Sequence, residues 1–168
     1  MNKNTEYIDI VDENNNMIGV GERDSVHRDR LMHRAVHIFV FNSAGELFVQ
    51  KRAAIKKEHP GKLDSSAAGH VDAGEGCDDS ARRELKEELS IDVPLKRVME
   101  IGACSETDNE FVTFYTATCD RKIKIDPNEI EDGFFLNINT IRKMVEIDKN
   151  AFTPAFLLIF DCYLQERN

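Results

Sequence analysis

The sequence has few cysteines and no pattern that pairs them. Cys77, Cys104, Cys119 and Cys162 show neither the CxxC spacing of a metal or redox site nor the dense framework of a small disulfide-stapled domain. We therefore expect reduced thiols. Long apolar runs are also missing, since no stretch of 18 apolar residues and no apolar N-terminal signal core is present. The expected location is cytoplasmic, with no membrane partner.

Basic residues are in the minority. The chain has 22 Lys and Arg against 31 Asp and Glu, which gives a net charge of −9 at pH 7. This balance argues against a nucleic acid polymer or an anionic membrane as the main partner. A small anionic ligand remains compatible, because a local cluster of Arg and Lys, or a bound metal ion, overrides the global charge.

The length and pattern of the chain predict one α/β domain, residues 1–168, without repeats or linkers. Residues 1–31 read as an N-terminal hairpin followed by a short helix or loop. Thr153 as N-cap before Pro154 predicts a C-terminal helix in residues 153–168. A helix is also predicted at 139–145, and strands are predicted at 35–41, 46–50, 98–104 and 111–118. The absence of a repeated βαβ pattern favours a mixed sheet covered by helices on both faces.

The most informative segment is a loop and helix at residues 69–91. The helical run places Glu84, Glu87 and Glu88 at i, i+3 and i+4, which brings three carboxylates onto one helix face. The opposite face carries an apolar stripe suited to docking on a sheet, formed by Ala81, Leu85 and Leu89. Like charges this close repel, whereas a hard divalent cation such as Mg²⁺ takes oxygen ligands. We therefore predict a metal site whose carboxylates, including Glu88, face solvent.

These residues resemble the Nudix box. The defined positions are Gly69, Glu75, Arg83, Glu84, Leu85, Glu87, Glu88, Ser90 and Ile91, and they agree with the family except for serine at 90, where glycine is usual. Serine tolerates a left-handed helix end less well than glycine, so we expect an altered helix exit with metal binding retained. The resemblance implies a Nudix-type α/β/α sandwich with a central mixed β-sheet.

The resemblance also implies roles for the residues of the box. Glu87 and Glu88 are expected to bind metal, and Glu84 to bind metal or act as general base. Arg83 is expected to orient Glu84 by a charge-assisted hydrogen bond, with an ordinary surface ion pair as the alternative. The backbone carbonyl of Gly69 is a further candidate ligand. The expected cofactor is Mg²⁺ or Mn²⁺.

A narrower resemblance covers roughly residues 5–145. His33-Arg34-Ala35, Pro60-Gly61 and Ala68-Gly69-His70 are similar to motifs of isopentenyl-diphosphate isomerase and its hydrolase-like relatives. In the isomerase family, an Arg and a Lys four residues apart before the Pro-Gly turn hold the substrate diphosphate. Arg52 and Lys56 stand at the matching places, and a solvated basic loop is the alternative interpretation.

The isomerase family also binds a divalent ion through three histidines and two carboxylates. The matching residues are His27, His33 and His70, with Asp108 and Glu110 as the acidic pair, and Glu110 is also a candidate substrate contact. Imidazole and carboxylate ligands suit Zn²⁺ or Mn²⁺. Because these residues are spread over four segments, ordinary surface or core roles for the histidines are the alternative.

One position departs from the isomerase pattern. The family has a proton-transferring cysteine immediately before the Gly-His pair, where this chain has Ala68, and an alanine cannot transfer a proton. We therefore predict a divalent-metal-dependent hydrolase that cleaves the phosphoanhydride bond of a nucleoside diphosphate or related organic diphosphate. The alternatives are an isomerase-like enzyme and a non-catalytic diphosphate-binding domain. The candidate pocket walls are Phe111, Phe114 and the loop Glu106-Thr107-Asp108-Asn109. Both monomer and homodimer stay open.

Overall fold

The N-terminal part of the molecule is a small hairpin and a short helix. A computed structural model of the chain describes residues 5–167. Strands β1 (Tyr7–Val11) and β2 (Met17–Glu22) pair antiparallel, and helix α1 (Arg23–Arg28) follows directly. Asp12 shapes the hairpin turn, because its Oδ1 accepts hydrogen bonds from the backbone N–H groups of Asn14 (2.9 Å) and Asn16 (2.8 Å).

The central sheet is mixed. Its strands are β3 (His33–Phe41), β4 (Leu47–Arg52), β5 (Leu63–Asp64), β6 (Ala67–His70), β7 (Lys96–Ile101), β8 (Glu110–Thr118) and β9 (Ile130–Leu136). β3 runs parallel to β8 and antiparallel to β6, while β4 pairs antiparallel with β5 and β9. A parallel pair needs a crossover connection, and the chain between β3 and β8 supplies it with helix α2 (Cys77–Leu89).

Helices cover both faces of this sheet. Val36, Ile38 and Val40 of β3 share a buried cluster with the apolar stripe of α2. The alternate residue Phe39 joins a second cluster with Phe156 of the C-terminal helix. Helices α3 (Ile138–Ile147) and α4 (Pro154–Glu166) form this second layer. The period-2 alternation of β3 therefore separates two cores, and the predicted α/β class with a central mixed sheet is confirmed.

Helix α2 ends at a residue in the left-handed conformation. Ser90 has φ 55° and ψ 34°, and its N–H donates to the carbonyl of Lys86 at 3.2 Å. The expected change in the helix exit is therefore wrong. The hydrogen bonds that close the helix outweigh the cost of placing one serine in this conformation, about 1–2 kcal/mol.

Helix α4 begins as its Thr-Pro sequence predicts. Thr153 is the N-cap, and its Oγ1 accepts a hydrogen bond from the backbone N–H of Phe156 at 3.1 Å. Strands β5, β6 and β9 were not indicated by the sequence pattern, because two of them are very short and β9 contains a glycine. Within residues 5–167, no helix combines the length and apolar character needed to cross a bilayer.

Candidate active site

A cavity of about 610 Å³ collects most of the predicted site residues. Its walls come from the end of β4, from β6, from α2 and from the loops that flank these elements. All of the catalytic, substrate-binding and metal-binding candidates named from the sequence line it except His33. The convergence of these residues on one cavity identifies it as the candidate active site.

The three carboxylates of α2 differ in burial. Glu84 and Glu88 are buried, with 8% and 5% of their surface exposed, while Glu87 is exposed. The prediction that Glu88 faces solvent is wrong. Strands β4 and β6 cover it, and its Oε2 accepts hydrogen bonds from Gln50 Nε2 (3.2 Å) and from the backbone N–H of Ala68 (3.4 Å). Burial raises the pKa of Glu88 well above its usual range, and the neighbouring charge of Glu84 adds to this effect.

Gly69 makes room for one of these carboxylates. A Cβ atom at this position would overlap the carboxylate of Glu84. The role of glycine here is therefore close approach to Glu84 and not a special backbone angle. The missing side chain lets the backbone of Gly69 lie beside the carboxylate of Glu84. The carbonyl of Gly69 is a candidate cation ligand.

Arg83 connects the loop of the box to the helix. Its Nε and Nη2 donate to the carboxylate of Glu75 at 3.1 and 2.9 Å, and its Nη1 donates to Glu84 Oε1 at 2.6 Å. These bonds raise the pKa of Arg83, with Glu75 as the largest cause. Burial raises the pKa of Glu84 to about 7, although Arg83 opposes this shift. Arg83 thus bridges Glu75 and Glu84 and fixes the carboxylate of Glu84 in the cavity wall.

The predicted diphosphate residues lie in the cavity wall. Arg52 donates from Nη1 to Asp64 Oδ2 at 3.1 Å, and from Nε and Nη2 to the carbonyl of Glu58 at 3.2 and 3.0 Å. Lys56 forms an ion pair with Glu129, which precedes β9. Their side chains are only 16% and 25% exposed, so neither belongs to a solvated basic loop.

Several acidic residues of the cavity wall are not among the sequence predictions, and two of them hold Arg52 and Lys56. Asp64 follows the basic loop, and Glu129 follows Asp126-Pro127-Asn128, a turn signal that could have marked a loop at the site. Glu129 is also close enough to Glu88 for its charge to raise the pKa of Glu88.

A histidine cluster lies at one end of the cavity. One ligand atom from each of His27, His33, His70 and Glu110 can be chosen so that all four lie within 4.8 Å of one another. Nε2 of His27 is 3.0 Å from Nε2 of His70, which is 3.3 Å from Glu110 Oε1. His33 and Glu110 are paired directly in the parallel register of β3 and β8. The structure does not bring Asp108 into this group, because its Oδ2 lies 3.6 Å from the other ring nitrogen of His27.

The cluster contains an unsatisfied buried atom. Nε2 of His33 has no hydrogen-bond partner among residues 5–167, and its nearest acidic contact, Glu110 Oε1, is 3.5 Å away. Burial lowers the pKa of His70, but hydrogen bonds with Glu110 and Glu6 outweigh this and raise it to about 9. Burial acts to raise the pKa of Glu110, whereas the imidazoles of His33 and His70 hold it well below its usual range. A buried donor or acceptor without a partner is costly, and a cation between these ligands would satisfy it.

Two predicted pocket walls are absent from this cavity. Phe114 is fully buried in the core of the second layer, where its ring centroid lies 4.8 Å from that of Phe39, so its prediction as a wall is wrong. Phe111 does not line the cavity either. His37, interpreted as structural, is buried with its Nδ1 2.8 Å from Ser65 Oγ, and burial lowers its pKa.

Similarity to known proteins agrees with this fold and this site. The family model of the NUDIX domain matches residues 31–156, which is most of the chain. An uncharacterized Nudix hydrolase of Yersinia pestis is 33% identical over 164 residues, covering 97% of this chain and 88% of that protein. Isopentenyl-diphosphate Delta-isomerase 2 of Photorhabdus laumondii is 30% identical over 161 residues, covering 93% of this chain and 91% of that protein.

A solved structure extends the comparison. The crystal structure of DR0079 from Deinococcus radiodurans superposes with a TM-score of 0.76 at 26% identity, covering 85% of this chain and 90% of that one. The chain belongs to the Nudix family, and it is a Nudix hydrolase enzyme. The family and the relatives named as Nudix hydrolases support pyrophosphohydrolase activity.

Proposed function

We propose that this Nudix hydrolase depends on a divalent metal ion and cleaves the phosphoanhydride bond of an organic diphosphate, with nucleoside diphosphates as the first class to test. One observation carries the proposal. The buried carboxylates Glu84 and Glu88 line the same cavity as the half-buried cations Arg52 and Lys56. Carboxylates suit a cation, and guanidinium and ammonium groups suit phosphate oxygens, so the two sets have complementary uses.

The carboxylates of α2 fit Mg²⁺ or Mn²⁺. Two of them are buried and have raised pKa values. The third, Glu87, lies one helical turn after Glu84 and is exposed. Such a set is costly without a cation and suits a hard ion that takes oxygen ligands. Bound there, the ion would neutralise charge on the diphosphate and activate water. Glu84, Glu87, Glu88 and the carbonyl of Gly69 are its proposed ligands.

Residues of the chain bind the diphosphate, orient it and take the proton from water. Arg52 and Lys56 hold and orient the diphosphate, and Arg83 keeps Glu84 in place. Water attacks one phosphorus, the bridging P–O bond breaks, and phosphate and an organic monophosphate leave. Glu84 serves either as a ligand of the ion or as the general base that takes the proton lost by the water.

Hydrolysis is favoured over isomerisation by the residue at position 68. Ala68 lines the cavity where the isomerase family has its cysteine, and none of the described lining residues is a cysteine. Cys77 lies at the start of α2, packed against the first core, and Cys104 contacts Thr107 in a loop. The 30% identity to an isomerase keeps isomerisation as the second candidate function.

We also propose a second divalent ion, Zn²⁺ or Mn²⁺, at the histidine cluster. Its ligands would be His27, His33, His70 and Glu110, with Asp108 holding the outer ring nitrogen of His27. The unsatisfied Nε2 of His33 supports this proposal. Elemental analysis after dialysis against Zn²⁺ should find one ion per chain, and the variant His33→Ala should lose it.

The activity is tested by mass-spectrometric product analysis with Mg²⁺ and with Mn²⁺. The panel contains nucleoside di- and triphosphates, nucleotide sugars, dinucleotides and isopentenyl diphosphate in deuterated water. Release of phosphate or a monophosphate, abolished by EDTA, is the expected result. Deuterium in an isomerised isoprenoid diphosphate would establish the isomerase instead, and binding without any turnover would indicate a non-catalytic diphosphate-binding domain. A cytoplasmic location and either monomer or homodimer remain predictions from the sequence.

A further inference from the structure

The guanidinium of Arg52 is held on two sides by the protein. Three contacts, to the carbonyl of Glu58 from Nε and Nη2 and to Asp64 from Nη1, use three of its five N–H donors. Among the residues that the structure describes, one donor on each terminal nitrogen is left over. Donors left on the terminal nitrogens of a guanidinium are suited to phosphate oxygens.

The carboxylate of Asp64, which accepts a hydrogen bond from Arg52, is itself fixed by other hydrogen bonds. Asp64 is buried, with 3% of its surface exposed. Its Oδ2 accepts from Arg52, and its Oδ1 accepts from Thr153 Oγ1 at 2.9 Å and from the backbone N–H of Ser65 at 2.8 Å. Each oxygen of Asp64 therefore has a partner.

Thr153 acts at two places at once. As N-cap of α4, Thr153 accepts a hydrogen bond at its hydroxyl oxygen from the backbone N–H of Phe156. The same hydroxyl donates a hydrogen bond to Asp64. Its backbone N–H also donates to the carbonyl of Leu63 at 2.9 Å, which ties the start of α4 to β5. An N-cap needs only the first of these bonds. The others connect the C-terminal helix to the guanidinium in the cavity wall.

We infer that Asp64 is a positioning residue which, held by Thr153, fixes the guanidinium of Arg52 in the orientation that binds diphosphate. In this role Asp64 acts through Arg52 and not through a contact of its own with the substrate. Without it, the long side chain of Arg52 would keep only the Glu58 carbonyl and would lose orientation when the ligand binds. The inference rests on the proposed function only in taking Arg52 as a diphosphate contact.

The test is a double-mutant cycle on binding. The probe is methylenediphosphonate with Mg²⁺, a diphosphate that cannot be hydrolysed, and its Kd is measured by calorimetry. Asp64→Asn keeps the shape and the Oδ1 acceptor but removes the charge that faces Arg52, so we expect about tenfold weaker binding. Arg52→Gln should weaken binding at least as much. The double variant should bind no more than about threefold weaker than Arg52→Gln alone, because Asp64 has nothing left to position.

Controls separate positioning from stability. Thr153→Val removes the hydroxyl and should weaken binding, whereas Thr153→Ser retains it and should restore most of the affinity. Asn137→Ala removes the N-cap of α3, which contacts no part of this network, and should leave the Kd unchanged despite a similar loss of stability. If Asp64→Asn does not fold, judged by its thermal melt, Thr153→Val replaces it in the cycle with Arg52→Gln.

The outcomes are distinct. Additive losses in the double variant would overturn the inference, because Asp64 would then act independently of Arg52. An unchanged Kd for Arg52→Gln would overturn it as well, and would remove Arg52 from the proposed site. A non-additive cycle in a protein that hydrolyses no diphosphate would support the positioning role while rejecting the proposed hydrolysis.

Discussion

Replacing Glu88 with glutamine should raise the stability of the metal-free protein while strongly lowering its metal-dependent turnover. Glu88 is buried beneath β4 and β6, and burial raises its pKa well above the usual range. Both hydrogen bonds that it accepts end on Oε2, from Gln50 and from the backbone of Ala68. The amide oxygen of a glutamine accepts the same two bonds. The substitution therefore changes the charge and leaves the contacts in place.

The magnitude follows from that burial. A carboxylate disfavoured by desolvation destabilises the folded state at neutral pH, so an uncharged amide of the same shape should stabilise the metal-free protein by about 1–3 kcal/mol. For a chain of this length, each kcal/mol corresponds to roughly 2–4 °C in melting temperature. Loss of the charge should lower metal-dependent turnover about a hundredfold or more, as for the loss of a key electrostatic group.

The assay combines a thermal melt in EDTA at pH 8 with initial rates at saturating Mg²⁺. Glu87→Gln is the matched control for stability, because Glu87 lies on the same helix with its side chain 60% exposed. Its melting temperature should change by less than the equivalent of about 0.5 kcal/mol. Full activity in Glu88→Gln would refute its assignment to the metal site. A lower melting temperature would refute the account of its burial.

Three further predictions concern the same helix and the strand residue that packs against it. In EDTA, the contribution of Glu84 to the free energy of unfolding should fall by about 3 kcal/mol as the pH rises from about 4.5 to about 7, because its folded-state pKa lies above its unfolded value. The measurement compares urea titrations of the wild type and Glu84→Gln across this range, and a difference that does not change with pH would contradict the burial of its charge. Gly69→Ala should retain the fold, because the overlapping atoms end a flexible side chain, yet lower turnover at least about tenfold by displacing Glu84; unchanged rates would show that its placement is unimportant. Ser90→Gly should raise the melting temperature by roughly 2–4 °C, because glycine enters the left-handed region at lower cost; no increase would mean that serine is unstrained there.

Local periodicity accounts for what could be predicted of the fold. The sequence predicted strands at 35–41 and 111–118, and the stripe of Ala81, Leu85 and Leu89 indicated a helix docked on the sheet. These patterns are formed by residues close together in the sequence, so they can be recognised without knowledge of the tertiary structure. Strand β5 has only two residues and β6 only four, too short for any alternation to show.

For the candidate site, too, some features follow from the sequence and others only from the tertiary structure. The sequence by itself determined that α2 carries three carboxylates beside Arg83, and that Arg52 and Lys56 precede a turn. Only the tertiary structure decided that Glu88 is buried, because the strands that cover it are far away in the chain. Helix spacing states which side chains share a face and does not state what packs against that face.

The same limit applies to the contacts that join distant segments. The register of β3 against β8 places His33 opposite Glu110, and the pairing of β3 with β6 brings His70 to the same end of the sheet. Asp64 reaches Thr153 across 89 residues of chain. Each of these contacts depends on strand order and register, which are set by the burial of both faces of the whole sheet and by no short segment. The residue types that perform the chemistry were therefore readable in the sequence, whereas their partners were decided by the assembled sheet.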